Sequence, residues 1–163
     1  MSTTNLEAMS ASKLSLQPPL PTILLAEDEQ NDAFFANRAF ALAGPPGRVI
    51  VVADGQEALD YFDGIGVYGN RTAYPLPALL VLDLKLPKID GFGVLAWLHG
   101  RPQFATLPIV VLTGSLRPSD AETAMQLGAH DYLVKPSAAE RLPPMIRYIC
   151  TRFLQTNWTS AAP

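Results

Sequence analysis

The stretch Leu79–Gly91, which reads LLVLDLKLPKIDG, decides how the rest of the chain is interpreted. Its first four residues are apolar and run directly into Asp83, a pattern typical of a strand buried on both faces of a sheet. Pro87 and the pair Asp90 and Gly91 then predict a turn before the next helix. Open α/β sheets place their chemistry at the carboxyl ends of such strands. The alternative is that Asp83 only caps the turn, because Asp is common in turns.

The composition favours one globular domain of ordinary size. The chain has 163 residues, of which 48% are hydrophobic and 17% charged, with a formal net charge of −3. We expect no nucleic-acid partner, because no large basic patch is present. We also expect no membrane segment, because no apolar run approaches the roughly 20 residues of a span and the N-terminus lacks the order of a signal peptide. The single cysteine, Cys150, excludes an internal disulfide and favours a reducing, cytoplasmic location.

Apolar runs and turn signals alternate along the chain in the order of a βα repeat. Residues 1–20 are predicted to form a polar tail that ends in a proline-rich stop. The predicted strands are Thr22–Ala26, Arg48–Val52, Leu79–Leu82, Pro108–Leu112 and His130–Val134. The helices that follow them are predicted to end near Ala43, Asp63, Gly100, Leu127 and Leu154. This alternation predicts a parallel sheet covered by helices on both faces.

Capping residues and prolines locate several predicted helix starts. Asn31 or Asp32 is expected to cap the first helix. Asp54 and Glu57 have the spacing of a capping box at the start of the second. A proline pair interrupts the last helical segment, so the final helix is expected to start near Pro143 after a short turn.

The loop Gly64–Pro77 contains Gly64, Gly66 and Gly69 at the G-x-G-x-x-G spacing of dinucleotide-binding proteins. That fingerprint requires a strand before it and a helix after it, and here the order is reversed. A flexible surface loop is therefore favoured over a cofactor site. The missing P-loop likewise opposes a nucleotide-binding domain with the same type of sheet.

Polar side chains follow four of the predicted strands, which end at one edge of a parallel sheet. Glu27 and Asp28 follow the first strand, Asp83 the third, Thr113 the fourth and Lys135 the fifth. Clustered carboxylates repel unless a counter-ion is present, and Mg²⁺ takes one or two carboxylates, commonly beside phosphate oxygens. A hydroxyl and an ammonium suit phosphoryl oxygens. The set therefore predicts a Mg²⁺ site beside a phosphoryl group, with a carboxylate as candidate nucleophile.

The chain resembles a receiver domain of a two-component response regulator. The matching pieces are LLAEDE, VVADGQEAL, LLVLDLKLPKIDGFGVL, PIVVLTGS and LGAHDYLVKP, which span about Thr22 to Leu154. The resemblance implies the flavodoxin-like fold of the chemotaxis response regulator, in which a five-stranded parallel sheet forms a doubly wound (βα)5 three-layer sandwich. We expect the receiver domain over residues 21–155, a flexible N-terminal tail over 1–20 and a C-terminal tail over 156–163.

The resemblance also implies a role for each residue of the metal site. Asp83 is the phosphoacceptor and a metal ligand. Asp28 binds Mg²⁺ directly, and Glu27 assists, often through water. The backbone carbonyl of Lys85 completes the protein ligands.

Three further residues are implied to bind the phosphoryl group or respond to it. Thr113 hydrogen-bonds the phosphoryl group, and Lys135 pairs with it. Tyr132 matches the aromatic switch position of the fifth strand. The bond between Lys135 and Pro136 is often cis in this family.

These roles imply a phosphoacceptor that catalyses its own phosphorylation and dephosphorylation, rather than an enzyme. The implied partners are a sensor histidine kinase and a downstream protein or phosphotransfer domain. Only nine residues follow Leu154, so we expect a stand-alone receiver that signals by changing protein–protein contacts. The long loop and the segment GFGVLAWLHGRPQFATLPIVVLTGS resemble the small regulators associated with phytochromes. That resemblance implies a bacteriophytochrome kinase and a homodimer through the fourth helix, fifth strand and fifth helix.

Two alternatives belong to other functional classes. A degenerate receiver would dock or dimerise without phosphorylation, but its usual mark is the loss of an acid, the Thr or the Lys. A phosphatase of the haloacid dehalogenase class would have a second acid two residues after its nucleophile, and that position is Lys85. His99 and His130 are expected at a helix end and a strand edge rather than as ligands. Cys150 is expected on a buried helix face, and the sequence leaves Trp158 either against a dimer partner or free.

Overall fold

Five parallel strands form a single sheet in the computed structural model, which describes residues 19–44 and 47–154. The spatial order of the strands is β2-β1-β3-β4-β5. Their bounds are β1 Thr22–Ala26, β2 Arg48–Val52, β3 Leu79–Leu82, β4 Ile109–Thr113 and β5 Asp131–Val134. This topology confirms the predicted flavodoxin-like sheet, although β4 and β5 each begin one residue later than predicted.

A helix follows each strand and returns the chain to the opposite edge of the sheet. The helices are α1 Gln30–Ala43, α2 Gly55–Asp63, α3 Gly91–His99, α4 Pro118–Gln126 and α5 Leu142–Phe153. Short 3₁₀ helices lie at Gly66–Gly69, Pro102–Phe104 and Ala139–Arg141. The last of these is the short turn expected before the final helix. The predicted N-terminal tail, apart from residues 19 and 20, and the predicted C-terminal tail with Trp158 lie outside the described residues.

Helices cover both faces of the sheet, so its inner strands have no solvated side. Alternate residues of β1 point into different cores: Ile23 and Leu25 join α1 and α5, whereas Leu24 and Ala26 join α2, α3 and α4. All four residues of β3 are fully buried. The continuous apolar runs of the sequence therefore correspond to strands packed on both sides, as predicted.

The strand register brings the polar residues to one level. Ala26 pairs with Val52 on one side and Leu82 on the other. Beyond these pairs, the backbone N–H of Asp83 donates to the carbonyl of Ala26 at 3.0 Å, and the N–H of Glu27 donates to Val52 at 3.0 Å. The first residues after β1 and β3 are therefore neighbours at the carboxyl edge of the sheet.

Helix starts agree with prediction at α2 and differ at α1. The side chain of Asp54 accepts from the N–H of Glu57 at 2.7 Å, and Glu57 in turn accepts from the N–H of Ala53 at 2.7 Å. Helix α1, however, begins at Gln30 with Glu29 at the N-cap position and no side-chain cap. The prediction that Asn31 or Asp32 caps this helix is wrong, because both lie inside its first turn.

The loop Gly64–Pro77 is tied to α2 by hydrogen bonds. The Arg71 guanidinium donates to the carbonyls of Tyr61 and Phe62, both at 2.8 Å, at the end of α2. The hydroxyl of Tyr68 donates to Glu57 at 2.6 Å. Helix α2 precedes this loop and β3 follows it, so the element order is opposite to that of a dinucleotide site, as predicted. These hydrogen bonds hold the loop against α2, which the prediction of a flexible surface loop did not anticipate.

Within the described part of the chain, no helix is both long and apolar enough to cross a membrane.

Candidate functional site

Three carboxylates meet at the carboxyl edge of the sheet. Glu27 and Asp28 follow β1, Asp83 follows β3, and each offers an oxygen within 4.8 Å of the others. Glu27 and Asp83 are 4% and 6% exposed, whereas Asp28 is exposed. The cluster thus has a buried floor and a side open to solvent. Oxygen ligands in this arrangement suit a hard divalent cation that keeps part of its water shell.

The segment after β3 holds Asp83 in a narrow turn. The N–H of Lys85 donates to Asp83 Oδ1 at 3.3 Å, and the N–H of Gly91 donates to the carbonyl of Leu84 at 2.9 Å. A Cβ atom at Gly91 would lie 2.5 Å from the carbonyl oxygen of Asp83. The turn therefore requires glycine at this position, and it keeps the backbone of Lys85 beside the carboxylate cluster.

The turn is also fastened to the start of α2. The Nζ atom of Lys88 lies 2.8 Å from Asp54 Oδ2. A Cβ atom at Gly55 would lie 1.8 Å from the carbonyl oxygen of Ile89. The close approach of these two backbones explains a glycine directly after the capping Asp54.

Lys135 joins this edge from the end of β5. Its ammonium donates to Glu27 Oε2 at 2.5 Å, to Asp83 Oδ2 at 2.8 Å and to Asp32 Oδ2 at 2.9 Å. Burial disfavours the charged ammonium, but the bonds to Asp83, Glu27 and Asp32 outweigh burial and raise the pKa of Lys135. Lys135 therefore stays protonated and supplies the positive charge among four carboxylates.

Glu27 shows the opposite balance. Burial raises the pKa of its carboxyl group, and the hydrogen bond and charge of Lys135 lower that pKa only in part. A positive charge added beside Glu27 would favour its ionised form. The carboxylates of this site therefore have a physical reason to bind a cation.

Thr113 and Tyr132 lie on the neighbouring strands. Thr113 ends β4, is fully buried and accepts a bond from the N–H of Ser115 at 3.4 Å through its Oγ1 atom. Tyr132 is half-buried on β5, and its hydroxyl donates to the carbonyl of Ser115 at 3.0 Å. Both side chains therefore contact the segment between β4 and α4, which begins at the edge of the site.

Asp32, outside the three-carboxylate cluster but bonded to Lys135, is the residue at this edge of the sheet that sequence analysis missed. It was assigned to helix capping, but its carboxylate bonds to Lys135. The available signal was closeness in sequence: Asp32 lies four residues after Asp28, in the first turn of α1. A cleft of about 180 Å³ opens beside it, with Phe35, Pro136 and Leu142 in its apolar wall.

Other sequence-based expectations have mixed outcomes. The described residues contain no cis peptide bond, so the bond between Lys135 and Pro136 is trans, contrary to the expectation from the resemblance. His99 ends α3, and His130 precedes β5 and accepts from the N–H of Ile109 at 3.1 Å, as expected for structural residues. Cys150 is half-buried on α5, and burial raises the pKa of its thiol to about 11.

Two curated proteins are similar to most of the chain. The first is the probable methanogenesis regulatory protein FilR2 of Methanothrix harundinacea (strain 6Ac), which is 36% identical over 135 residues, 83% of this chain and 84% of that protein. The second is the response regulator Rcp1 of Synechocystis sp. (strain ATCC 27184 / PCC 6803 / Kazusa), which is 33% identical over 144 residues, 88% of this chain and 96% of Rcp1.

The solved structures that share the fold include two cyanobacterial response regulators. The phosphorylated cyanobacterial phytochrome response regulator RcpA superimposes with a TM-score of 0.76 at 32% identity, covering 83% of this chain and 94% of RcpA. The Mn(2+)-bound form of Rcp1 superimposes with a TM-score of 0.75 at 32% identity, covering 83% and 96%. The sequence profile described as the response regulator receiver domain matches residues 23–147. The profile matches most of the chain, and the strand order is that of the flavodoxin-like sheet expected of a receiver domain. The chain therefore belongs to the response regulator receiver domain family.

Proposed function

We propose that this chain accepts a phosphoryl group on Asp83 from a sensor histidine kinase and relays that signal through protein–protein contacts. One observation carries the proposal. The buried carboxylate of Asp83 lies 2.8 Å from the ammonium of Lys135 and within 4.8 Å of two further carboxylates. A buried carboxylate with both a cationic partner and a cation-binding cluster suits phosphoryl transfer, which depends mainly on positioning and charge neutralisation.

Mg²⁺ is the proposed cofactor, held by the carboxylates of Glu27, Asp28 and Asp83 and the backbone carbonyl of Lys85. Four carboxylates, including Asp32, face one ammonium, so the site has an excess of negative charge. The similar protein Rcp1 has been solved in an Mn(2+)-bound form, which supports a divalent cation as the cofactor. Mg²⁺ would neutralise the carboxylates and the oxygens of the incoming phosphoryl group.

The proposed step is an in-line displacement at phosphorus. A carboxylate oxygen of Asp83 attacks the phosphorus of phosphohistidine, a new P–O bond forms and the P–N bond breaks. The imidazole leaves with the electron pair and takes a proton from solvent. Lys135 and Thr113 bind the phosphoryl oxygens. In the separate dephosphorylation step, water attacks the phosphorus, the P–O bond to Asp83 breaks, inorganic phosphate leaves and the Asp83 carboxylate is restored.

The signal arises from the added charge. A phosphoryl group carries about −1.5 to −2 charges at neutral pH, which attracts the hydroxyl of Thr113 at the end of β4. The carbonyl of Ser115 accepts the hydrogen bond of the Tyr132 hydroxyl. A shift of β4 and of the segment that follows would move this carbonyl. We propose that Tyr132 then moves inward and that the surface of α4, β5 and α5 takes up its active form. A homodimer through this surface and binding of a downstream protein or phosphotransfer domain are the proposed outputs.

The relatives suggest the source of the signal. RcpA is described as a cyanobacterial phytochrome response regulator, and the bacteriophytochrome response regulator AtBRR also shares the fold, with a TM-score of 0.65 at 35% identity. We therefore propose a bacteriophytochrome as the partner kinase and the cytoplasm as the compartment in which the two proteins meet.

The test is phosphorylation by acetyl phosphate with MgCl₂, read by intact mass. Wild type is expected to gain one phosphoryl group, and Asp83→Asn is expected to gain none. Asp63→Asn, which removes an exposed acid at the end of α2, is the matched control and is expected to behave like wild type. A gain in Asp83→Asn equal to that of wild type would overturn the proposal. If wild type gained nothing from acetyl phosphate or from a kinase, the chain would instead be a docking module that works without phosphorylation.

A further inference from the structure

Asp32 is an acid of the site for which the proposed function has no role. It lies in the first turn of α1 and its side chain is 45% exposed. Its Oδ2 atom accepts a hydrogen bond from Lys135 at 2.9 Å. The described residues form one carboxylate cluster with metal-ligand spacing, Glu27, Asp28 and Asp83, and Asp32 is outside it.

The hydrogen-bonding capacity of Lys135 makes Asp32 a competitor. An ammonium group has three N–H donors and no acceptor. In the structure these three donors serve three carboxylates, those of Glu27, Asp83 and Asp32. A phosphoryl group on Asp83 adds three strong acceptor oxygens. Lys135 can bind them fully only if it releases at least one of its present partners.

The three carboxylates differ in what a bound cation does to them. Glu27 and Asp83 belong to the cation cluster, so a cation shares their negative charge. Asp32 lies outside the cluster, so a bound cation does not share its negative charge, which continues to attract the Lys135 ammonium. It therefore remains the strongest rival of the phosphoryl group for the ammonium after the metal has bound.

We propose that Asp32 is a positioning residue that retains Lys135 and thereby slows capture of the phosphoryl group on Asp83. This inference rests on the proposed function of the site. Loss of the Asp32 charge would not release Lys135 from the site, because Glu27 and Asp83 are buried and both bind it. It would free one donor and remove one negative charge that opposes the incoming phosphoryl group.

The first experiment compares phosphorylation rates by acetyl phosphate at saturating MgCl₂. Asp32→Asn is expected to be phosphorylated about fivefold faster than wild type, the size of effect that a partly exposed ion pair gives. Glu29→Gln is the matched control, because it removes an exposed acid from the same end of α1 that makes no bond to Lys135. Its rate is expected to equal that of wild type.

The second experiment asks whether Asp32 acts through Lys135. In a Lys135→Gln background, Asp32→Asn is expected to change the rate by less than the single substitution does in wild type. An equal gain in both backgrounds would overturn the inference. The faster rate would then come from the loss of negative charge near Asp83 and not from the release of Lys135. An Asp32→Asn rate equal to or below that of wild type would also overturn it.

A readout without metal or phosphate completes the test. In metal-free wild type, the Lys135 ammonium is expected to give a protected ¹H–¹⁵N signal, and Asp32→Asn is expected to exchange faster with water. If the Lys135→Gln proteins take up no phosphate, the exchange rate of the Lys135 ammonium becomes the deciding measurement. An equal exchange rate in wild type and Asp32→Asn overturns the inference. Failure of wild type itself to gain phosphate would overturn the proposed function, whereas a normal wild type with an unaltered Asp32→Asn overturns only this inference.

Discussion

The Nζ atom of Lys135 lies 2.8 Å from Oδ2 of Asp83, although 52 residues separate them in the sequence. Each residue directly follows a strand, β5 and β3, and only β4 lies between those strands in the sheet. The same ammonium bonds to Glu27, which is 4% exposed. The positive charge of Lys135 therefore balances two buried carboxylates, and several properties of the protein should depend on it.

Replacement of this ammonium should destabilise the metal-free protein. Lys135→Met leaves Glu27 and Asp83 without a cationic partner, and we expect a loss of about 2 kcal/mol, somewhat below the range for a fully buried pair. Lys88→Met, which removes an exposed lysine paired with Asp54, should cost less. Urea unfolding at neutral pH measures both. Equal losses in the two variants would contradict the account.

The stabilisation by Lys135 has a defined pH range. Its bonds to carboxylates raise its pKa in the folded protein above the ordinary value of 10.5. The contribution is thus fully present below that pH and is lost as the pH rises through the folded-state pKa. The difference in unfolding free energy between wild type and Lys135→Met should therefore be constant from pH 7 to about pH 10 and decrease above it.

Magnesium should stabilise the protein through the three-carboxylate cluster. At about one hundred times its dissociation constant, a ligand that binds only the folded state adds about 2.7 kcal/mol to the free energy of unfolding. Asp28→Asn should lose most of this increment, because it removes the exposed carboxylate of the cluster. Glu29→Gln, next to it in the sequence, should keep the increment. Urea unfolding with and without MgCl₂ gives the comparison, and an equal response of both variants would contradict the assignment.

The turn after Asp83 should not tolerate a side chain at Gly91. A Cβ atom there would lie 2.5 Å from the Asp83 carbonyl oxygen and 2.7 Å from the Cα atom of Leu84. Gly91→Ala should therefore cost about 2 kcal/mol of stability and slow phosphorylation by displacing Asp83. Gly100→Ala, at the other end of α3, meets its nearest atom at 3.9 Å and should be tolerated. A fully stable and active Gly91→Ala would show that the turn is less tightly packed than described.

The hydroxyl of Tyr132 should stabilise the unphosphorylated state. It donates to the Ser115 carbonyl at 3.0 Å, and Tyr132→Phe should cost about 1 kcal/mol of stability while leaving Asp83 able to accept phosphate. Tyr148→Phe is the control, because the Tyr148 hydroxyl bonds to Asp131 on the exposed side of α5 and its loss should matter less. Chemical denaturation and intact mass test the two halves of this prediction. No stability loss in Tyr132→Phe would contradict the role of the Ser115 contact.

Much of the fold and the cluster could be predicted because they depend on local pattern and parallel register. The run Leu79–Leu82 is apolar throughout because both faces of β3 are covered. Parallel pairing then brings the residues after β1 and β3 to one edge, which is why Glu27, Asp28 and Asp83 could be predicted to meet. No side-chain contact had to be known for that inference.

The features that could not be predicted depend on specific side-chain hydrogen bonds. Asp32 resembles a helix cap in sequence, but its partner is Lys135, 103 residues away. The loop Gly64–Pro77 has the composition of an unanchored segment, yet Arg71 ties it to the end of α2. In both places side-chain hydrogen bonds overrode the local preference, across 103 residues at Asp32 and across 9 and 10 residues at Arg71, and the composition of the segment does not encode them.

The most direct test of the central claim is to locate the phosphoryl group. Wild type phosphorylated by acetyl phosphate would be reduced with borohydride, which converts an aspartyl phosphate to homoserine, and then digested and sequenced by tandem mass spectrometry. The account predicts homoserine at position 83 and at no other acid of the cluster. Reduction at Glu27, Asp28 or Asp32, or a phosphorylated protein with no reduced residue at position 83, would contradict it.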